Sequence, residues 1–299
     1  MNMEPPIFIV GHWRSGTTHL CNLLAQSAAF GIVSPVASGI PHDLLLLGRL
    51  LRPWLEKSIP PDRLIDRVPV LPDSPQEDEF GLANMVTTSF LHGLYFPNKL
   101  VENFHKGMFV ESWSKEERQQ WEAAVKQYLK KIYLDQGGKQ LLVKNPGHST
   151  KIPILRKLFP GARFIHIYRN PYRVFPSMKN YFDKLLPVLA LQHYQSSEVA
   201  QIILDTYPRI MKTLIKDISD LPQGFGMEIR FESLEADPIS QLKEIYHTLG
   251  IAGFEQAEPY FKKYLLGIRN YQKNRYHQAP EESALIRDHW GHFIDHYGY

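Results

Sequence analysis

The chain is poor in cysteine, with Cys21 the single one in 299 residues. An internal disulfide framework is excluded, and a reducing compartment is expected. On a first helix, that thiol is expected to pack in the core. No run of eighteen apolar residues occurs, so no segment is expected to cross a bilayer. No secretory leader is expected from the few residues ahead of the first apolar run, where Pro5 and Pro6 stand, and a cytoplasmic location is expected. Charge of neither sign dominates: 34 Lys and Arg against 31 Asp and Glu leave a net +3. That mild balance suits a small anionic ligand and gives no footprint for nucleic acid. The 13 histidines are scattered, and Glu77-Asp78-Glu79 are adjacent rather than spaced as ligands, so no metal is expected. Repeats and low-complexity tracts are absent. What remains, 43% apolar and 12% aromatic residues, is enough for a sizeable core.

The most telling absence is one lysine. Residues 7–18 read IFIVGHWRSGTT. Gly11, four residues and Gly16 match the G-x-x-x-x-G frame of a P-loop after an apolar strand. The frame should continue with Lys, and here it continues Thr17-Thr18. The group that would reach the terminal phosphates of a nucleoside triphosphate is missing, and Arg14 sits inside the loop. Glycines that bring backbone N–H groups close, the positive end of a helix starting near Thr17, and a guanidinium together make an anion site. A second segment, 162–178, reads ARFIHIYRNPYRVFPSM. Its strand, 164–168, ends in Arg169, and Ser177 follows on the next helix.

Arg14-Ser15-Gly16-Thr17-Thr18 resembles the 5′-phosphosulfate loop of sulfotransferases that use 3′-phosphoadenosine 5′-phosphosulfate (PAPS), in particular the bacterial members. The strand-end Arg169 with Ser177 is similar to that family's 3′-phosphate site. The resemblance implies a P-loop-like three-layer α/β fold, with a central parallel sheet and helices on both faces. Lys144-Asn145-Pro146-Gly147-His148 resembles the family's strand-end lysine motif, in which the lysine contacts the sulfuryl group. Arg14 and Lys144 are therefore the expected charge stabilisers. The general base is left open by the sequence. Cytosolic relatives carry a His two positions after that lysine, where this chain has Pro146. His148, two further on, is one candidate, and Glu77 and Glu79 in Ser-Pro-Gln-Glu-Asp-Glu are the others. Three adjacent acids beside proline also read as a solvated helix start. Phe231, in Phe-Glu-Ser-Leu, corresponds to an aromatic residue near the adenine, and Lys273 and Arg275 to a late basic loop on the 3′-phosphate.

Along the chain, Ile7–Val10 reads as the first strand and 17–27 as the first helix. No strand stands out from 30 to about 110. That region is broken by prolines and reads as a helical, acceptor-binding insertion in a single domain over 1–299. Within it, 44–55 is the most apolar stretch; it reads as an amphipathic core helix, with a membrane surface or an acceptor pocket as alternatives. Ser114 and Glu117 form a capping box opening a long helix that ends before Gly137-Gly138. Strands follow at Gln140–Lys144, 164–168 and 227–231, with helical breaks expected at Pro187 and Pro208. The function expected is PAPS-dependent sulfuryl transfer to a hydroxyl of a small or lipid-like acceptor, with peripheral membrane contact left open by the sequence. A P-loop nucleotide kinase or NTPase, and a non-catalytic nucleotide-binding protein of the same fold, are the rival classes.

Overall fold

The four residues of strand β1, Ile7–Val10, are all buried, and their alternation decides the architecture. Ile7 and Ile9 belong to one hydrophobic cluster, and Phe8 and Val10 to another on the opposite side. A strand buried on both faces belongs at the centre of a parallel sheet with helices above and below. The computed structural model, which describes residues 3–63, 65, 66, 68–194, 199–270, 276 and 279–299, shows that arrangement. Five parallel strands run in the order β2-β3-β1-β4-β5. They are β1, β2 (Phe30–Ile32), β3 (Gln140–Lys144), β4 (Arg163–Tyr168) and β5 (Gly226–Arg230).

Helix α1 (Thr17–Leu24) covers the Ile7 face with α12 (Pro238–Thr248) and α13 (Phe254–Gly267). The Phe8 face is covered by α7 (Lys115–Asp135), α9 (Pro171–Leu189), α10 (Val199–Ser219) and α14 (Pro280–His296). Between β2 and α7 run the short helices α2 (Pro35–Gly39), α3 (Arg52–Lys57), α4 (Glu79–Leu82), α5 (His92–Tyr95) and α6 (Leu100–Met108). A 3-10 turn, Pro146–Thr150, and α8 (Ile152–Leu158) join β3 to β4, and α11 (Phe231–Ala236) follows β5 directly.

The capping box is present: Glu117 N donates to Ser114 Oγ at 3.2 Å, and Ser114 N to the Glu117 carboxylate at 2.9 Å. Cys21 is buried, and burial pushes its thiol up to about 12.

Four details depart from the sequence expectations. The stretch from 30 to 110 does contain a strand, the three-residue β2, which pairs with β3 at the sheet edge. Pro208 lies inside α10 and Pro187 inside α9, so neither ends its helix. The last strand closes at Arg230, and Phe231 opens a helix. The stretch 44–55 is not a core helix. It splits into a π-helical turn, Leu44–Gly48, and α3, with Leu46, Leu50 and Trp54 about 70% exposed (72%, 73% and 67%). Arg49 and Arg52 clamp onto Asp135 at 3.4 and 2.8 Å, which holds this segment on the end of α7 while its leucines face outward.

Candidate active site

The loop after β1 is built by close approach. Gly16 has φ +105°, and a Cβ there would stand 2.2 Å from the Phe231 ring. At Gly11 a Cβ would lie 2.4 Å from the Ile167 carbonyl. Among the described residues, Arg14 is the one non-glycine residue with positive φ, at 66°. The left-handed region costs an L-residue roughly 1–2 kcal/mol. The conformation is held from both ends: Arg169 Nη1 donates to the Arg14 carbonyl at 3.3 Å, and the Arg14 side chain is itself bonded. A reciprocal pair ties the loop to the neighbouring strand's loop. Gly11 N donates to Ser149 Oγ at 3.0 Å, and Ser149 Oγ donates to the Gly11 carbonyl at 3.1 Å. Burial lowers His12 to about 4, so this loop imidazole is neutral at pH 7.

The mouth of the loop fits an anion. The first N–H groups of a helix have no acceptor within the helix, and Gly16 provides no side-chain cap for α1. Ser15 Oγ is buried there without a hydrogen-bond partner. A phosphate or phosphosulfate supplies the acceptors these donors need.

Two clusters flank that mouth. On one side Arg14 Nε donates to Ser177 Oγ at 2.9 Å, and Ser177 Oγ lies 3.3 Å from Tyr276 Oη. Arg169, from the end of β4, stacks its guanidinium 4.3 Å from the centre of the Phe231 ring. Arg14, Arg169 and Ser177 thus meet, whereas the sequence reading placed Arg14 in a separate 5′ loop beside the charge stabiliser Lys144. Phe231 is almost fully buried and spends its ring beneath Gly16 and Arg169. Lys273 and Arg275 lie outside the described residues.

On the other side stands Lys144, at the end of β3. Its Nζ donates to Glu77 Oε1 at 2.8 Å and to Thr18 Oγ1 at 3.4 Å. Glu77 and Lys144 are also paired through their backbones as an isolated parallel bridge. An arginine with no place in the sequence motifs, Arg63, donates to the same Thr18 hydroxyl at 3.0 Å. Asp66 accepts from Arg14 at 3.1 Å and lies 3.7 Å from Arg63.

The three candidate bases separate in space. Glu77 alone touches Lys144. Asp78 and Glu79 are buried, so the acids do not form a solvated helix start. Glu79 accepts from Ser89 Oγ at 2.6 Å and from Asn145 Nδ2 at 2.8 Å. Burial holds its carboxyl above the usual range, against the pull of Lys151 and these two donors. His148 is fully buried against Asp78 at 2.7 Å, and Asn145 Nδ2 also reaches Asp78 at 2.8 Å. Behind them, Lys151 donates to the carbonyls of Gly107 and Gly147, and burial lowers it to about 8. The sequence reading missed Asn145, Asp78 and Arg63. Asn145 and Asp78 stand inside quoted motifs; Arg63 has no local pattern to reveal it. One histidine pair, His292 and His296, does have helical i,i+4 spacing on α14. Among the described residues no group of three or more His, Cys, Asp or Glu is placed to hold a metal ion.

A parallel sheet of this order, with a glycine loop and a helix N-terminus at the carboxyl end of its central strand, defines a P-loop-like nucleotide-binding fold. The chain belongs to the sulfotransferase family, whose model matches residues 5–256, and it is a sulfotransferase. The omega-hydroxy-beta-dihydromenaquinone-9 sulfotransferase Stf3 of Mycobacterium tuberculosis is 32% identical over 296 residues, covering 99% of this chain and 76% of the relative. The protein of the same name from Mycobacterium bovis matches equally. Among solved structures, sulfotransferase STF1 from Mycobacterium tuberculosis has a TM-score of 0.71 at 15% identity, covering 97% of this chain and 77% of that one. Sulfotransferase STF9 from Mycobacterium avium has a TM-score of 0.70 at 17% identity, covering 99% and 77%. At those identities the likeness is one of fold.

Proposed function

We propose that this protein, as a single domain over 1–299, moves a sulfuryl group from PAPS to a hydroxyl of a small, lipid-like acceptor and releases 3′-phosphoadenosine 5′-phosphate. The observation that carries the reading is the Lys144–Glu77 pair. A cation and a carboxylate 2.8 Å apart stand beside the Thr18 hydroxyl on the first turn of α1. PAPS supplies an activated sulfuryl group and two anionic ends. The chain does the rest by position and charge, as in phosphoryl transfer.

Glu77 takes the proton of the acceptor hydroxyl, because it is the one acid of the three whose carboxylate reaches the cation at the loop. As the acceptor oxygen bonds to sulfur, the bond from sulfur to the 5′-phosphate oxygen breaks. The charge left on that oxygen is met by Lys144 and the N–H groups at the start of α1. Arg14, Arg169 and Ser177 hold the 3′-phosphate. Asp78, Asn145, Glu79 and His148 fix segment 77–79 against the loop after β3, so that Glu77 is oriented before the acceptor arrives.

Two observations support a lipid-like acceptor. The relative at 32% identity is named for a menaquinone derivative. On this chain, Leu46, Leu50 and Trp54 present apolar surface to the outside, a composition that favours peripheral contact with a membrane. No helix among the described residues is long and apolar enough to cross one.

The test is direct. Purified protein is given labelled PAPS with panels of phenols, sterols, long-chain isoprenoid alcohols and anionic glycans. Transfer to lipid alcohols is expected. Transfer confined to anionic glycans, or magnesium-dependent ATP turnover with no sulfated product, refutes the reading.

A further inference from the structure

The cation inside the anion loop already has a partner at two of its guanidinium nitrogens. Arg14 gives its Nε to Ser177 at 2.9 Å and its Nη1 to Asp66 at 3.1 Å. The Ser177 contact joins it to the 3′-phosphate cluster, where Arg169 Nη1 holds the Arg14 carbonyl, and the Asp66 contact is shared with Arg63. The Thr18 hydroxyl marks the other side of the loop mouth. In P-loop folds, the Ser or Thr at that position of the first turn faces the terminal end of the phosphate chain. Here it is approached by two cations, Lys144 at 3.4 Å and Arg63 at 3.0 Å.

Arg63 is built into that position. It stands on a tight reversal of the insertion in which Asp62 pairs antiparallel with Pro69. Arg63 N donates to the Val68 carbonyl at 2.9 Å, and Val70 N to the Pro61 carbonyl at 3.1 Å. Ile65, at the turn, is buried, and its carbonyl accepts from Lys184 of α9 at 3.0 Å. The reversal is thus anchored to the helix that carries Ser177. Arg14, Arg63 and Lys144 crowd around the loop mouth, with Asp66 and Glu77 as the carboxylates between them. Like charges gathered in a shallow cleft attract an anion.

We infer that Arg63, supplied by the insertion, is the second cation of the transfer site, acting with Lys144 on the sulfuryl and leaving 5′-phosphate oxygens, and that Arg14 serves the 3′-phosphate. The inference rests on the PAPS reading. The donor's S–O bond breaks toward the 5′-phosphate, whose oxygen keeps the electron pair, while the acceptor's proton goes to Glu77. The growing charge on that phosphate oxygen calls for donors on both sides of it, and a planar guanidinium offers two parallel N–H groups. Asp66, between Arg14 and Arg63, orients both guanidiniums over the loop before the donor arrives. The donor-site geometry is therefore completed by the same segment that shapes the acceptor pocket.

The experiment compares wild type, Arg63→Ala, Arg63→Lys and Arg14→Ala, each with PAPS and with adenosine 5′-phosphosulfate, which lacks the 3′-phosphate. Arg63→Ala is expected to lower kcat roughly 100-fold with either donor, the scale of losing one transition-state donor, with little change in KM for the donor. Arg63→Lys recovers part of the loss, because the charge returns without the fork. Arg14→Ala raises KM for PAPS, and that defect shrinks with the 3′-dephospho donor. An Arg63→Ala enzyme with wild-type kcat, or one whose defect lies in KM and disappears with the 3′-dephospho donor, overturns the assignment while PAPS turnover by wild type stands. If Arg63→Ala does not fold, Arg63→Lys decides alone: a kcat equal to wild type with both donors overturns the need for the fork, and a kcat-only loss supports it. A wild-type protein inert with both donors, and not stabilised by 3′-phosphoadenosine 5′-phosphate, overturns the donor reading itself and this inference with it.

Discussion

Replacing Glu77 by Gln separates chemistry from folding at the pair that carries the proposed mechanism. Glutamine keeps the length of the side chain and can still accept from Lys144 Nζ through its amide oxygen. It loses the charge, and with it the ability to take a proton. Lys144 is 3% exposed, so the substitution leaves a buried ammonium with a weaker acceptor at 2.8 Å. A hydrogen bond between charged groups is worth about 1.5–3 kcal/mol, of which a neutral acceptor keeps part. A loss of about 2 kcal/mol lowers Tm by roughly 3 °C in a chain of 299 residues. That loss is conditional, because 3′-phosphoadenosine 5′-phosphate brings a new anion to Lys144 and restores most of the melting temperature. The rate is not restored. Losing a general base costs ~10²–10⁴ in kcat, while KM for PAPS is expected to fall or stay level, since one competing carboxylate has gone. Glu79→Gln and His148→Asn serve as comparisons. They loosen the buried network and lower stability with or without ligand, and their kcat losses are smaller. A Glu77→Gln enzyme within about tenfold of wild-type kcat, beside a Glu79→Gln or His148→Asn enzyme that has lost its activity, refutes the choice of base.

Three further outcomes are expected. Gly16→Ala forces a Cβ into a left-handed residue and to 2.2 Å from Phe231; a destabilisation of about 3 kcal/mol and a large loss of donor binding are expected, and an unchanged urea midpoint argues against the packing described. Lys151 sits near 8 instead of 10.5, so between those pH values the unfolded chain holds a proton that the folded chain has released, and stability from this group rises with pH across that window. Lys151→Met removes the rise; the melting temperature of wild type minus that of the variant should increase from pH 7 to pH 10, and a constant or decreasing difference counts against it. Replacing Leu46, Leu50 and Trp54 together by Ser should weaken sedimentation with lipid vesicles at least about tenfold, from the apolar area withdrawn, without lowering Tm; equal sedimentation refutes membrane contact through this surface.

The elements that build the donor loop were legible because their code is local. Ile7–Val10 and Gln140–Lys144 are short apolar runs that end in a glycine or a charged residue, and both occur where the sequence pattern places them. Arg169 and Ser177 are fixed by the spacing of one strand and one helix. The capping box of α7 needs only four residues. The remainder depends on distant partners. β2 is three residues long and is a strand only because β3 offers it an edge. Pro208 reads as a break, but α10 is packed on α9 and α14 strongly enough to continue through it. Glu77-Asp78-Glu79 looks like solvated charge because nothing nearby announces Asn145, Ser89 and His148, which arrive from 10 to 70 residues away. Residues 44–55 misled in the opposite direction, since apolar content alone does not say whether a partner exists. Arg63 was invisible for the same reason: its meaning lies in Thr18, 45 positions earlier.

The backbone bridge between Glu77 and Lys144 sets apart what can vary from what cannot. The bridge sets the separation of Glu77 and Lys144 by main-chain register, so on the proposed mechanism the proton acceptor and the cation are held by backbone rather than by the side chains of the outer insertion. If the insertion binds the acceptor as proposed, loop lengths and apolar residues across 36–72, apart from the Arg63–Asp66 turn, are expected to vary without re-aligning Glu77 and Lys144. For enzyme engineering, this makes the outer insertion an exchangeable cartridge with a cut point just before residue 76, whose own N–H is already pinned to the Val33 carbonyl at 2.8 Å. On the proposed reading, chimaeras joined there are expected to keep the transfer chemistry of this sheet and take the acceptor preference of the parent that gives the segment, provided that the segment brings its own arginine to Thr18.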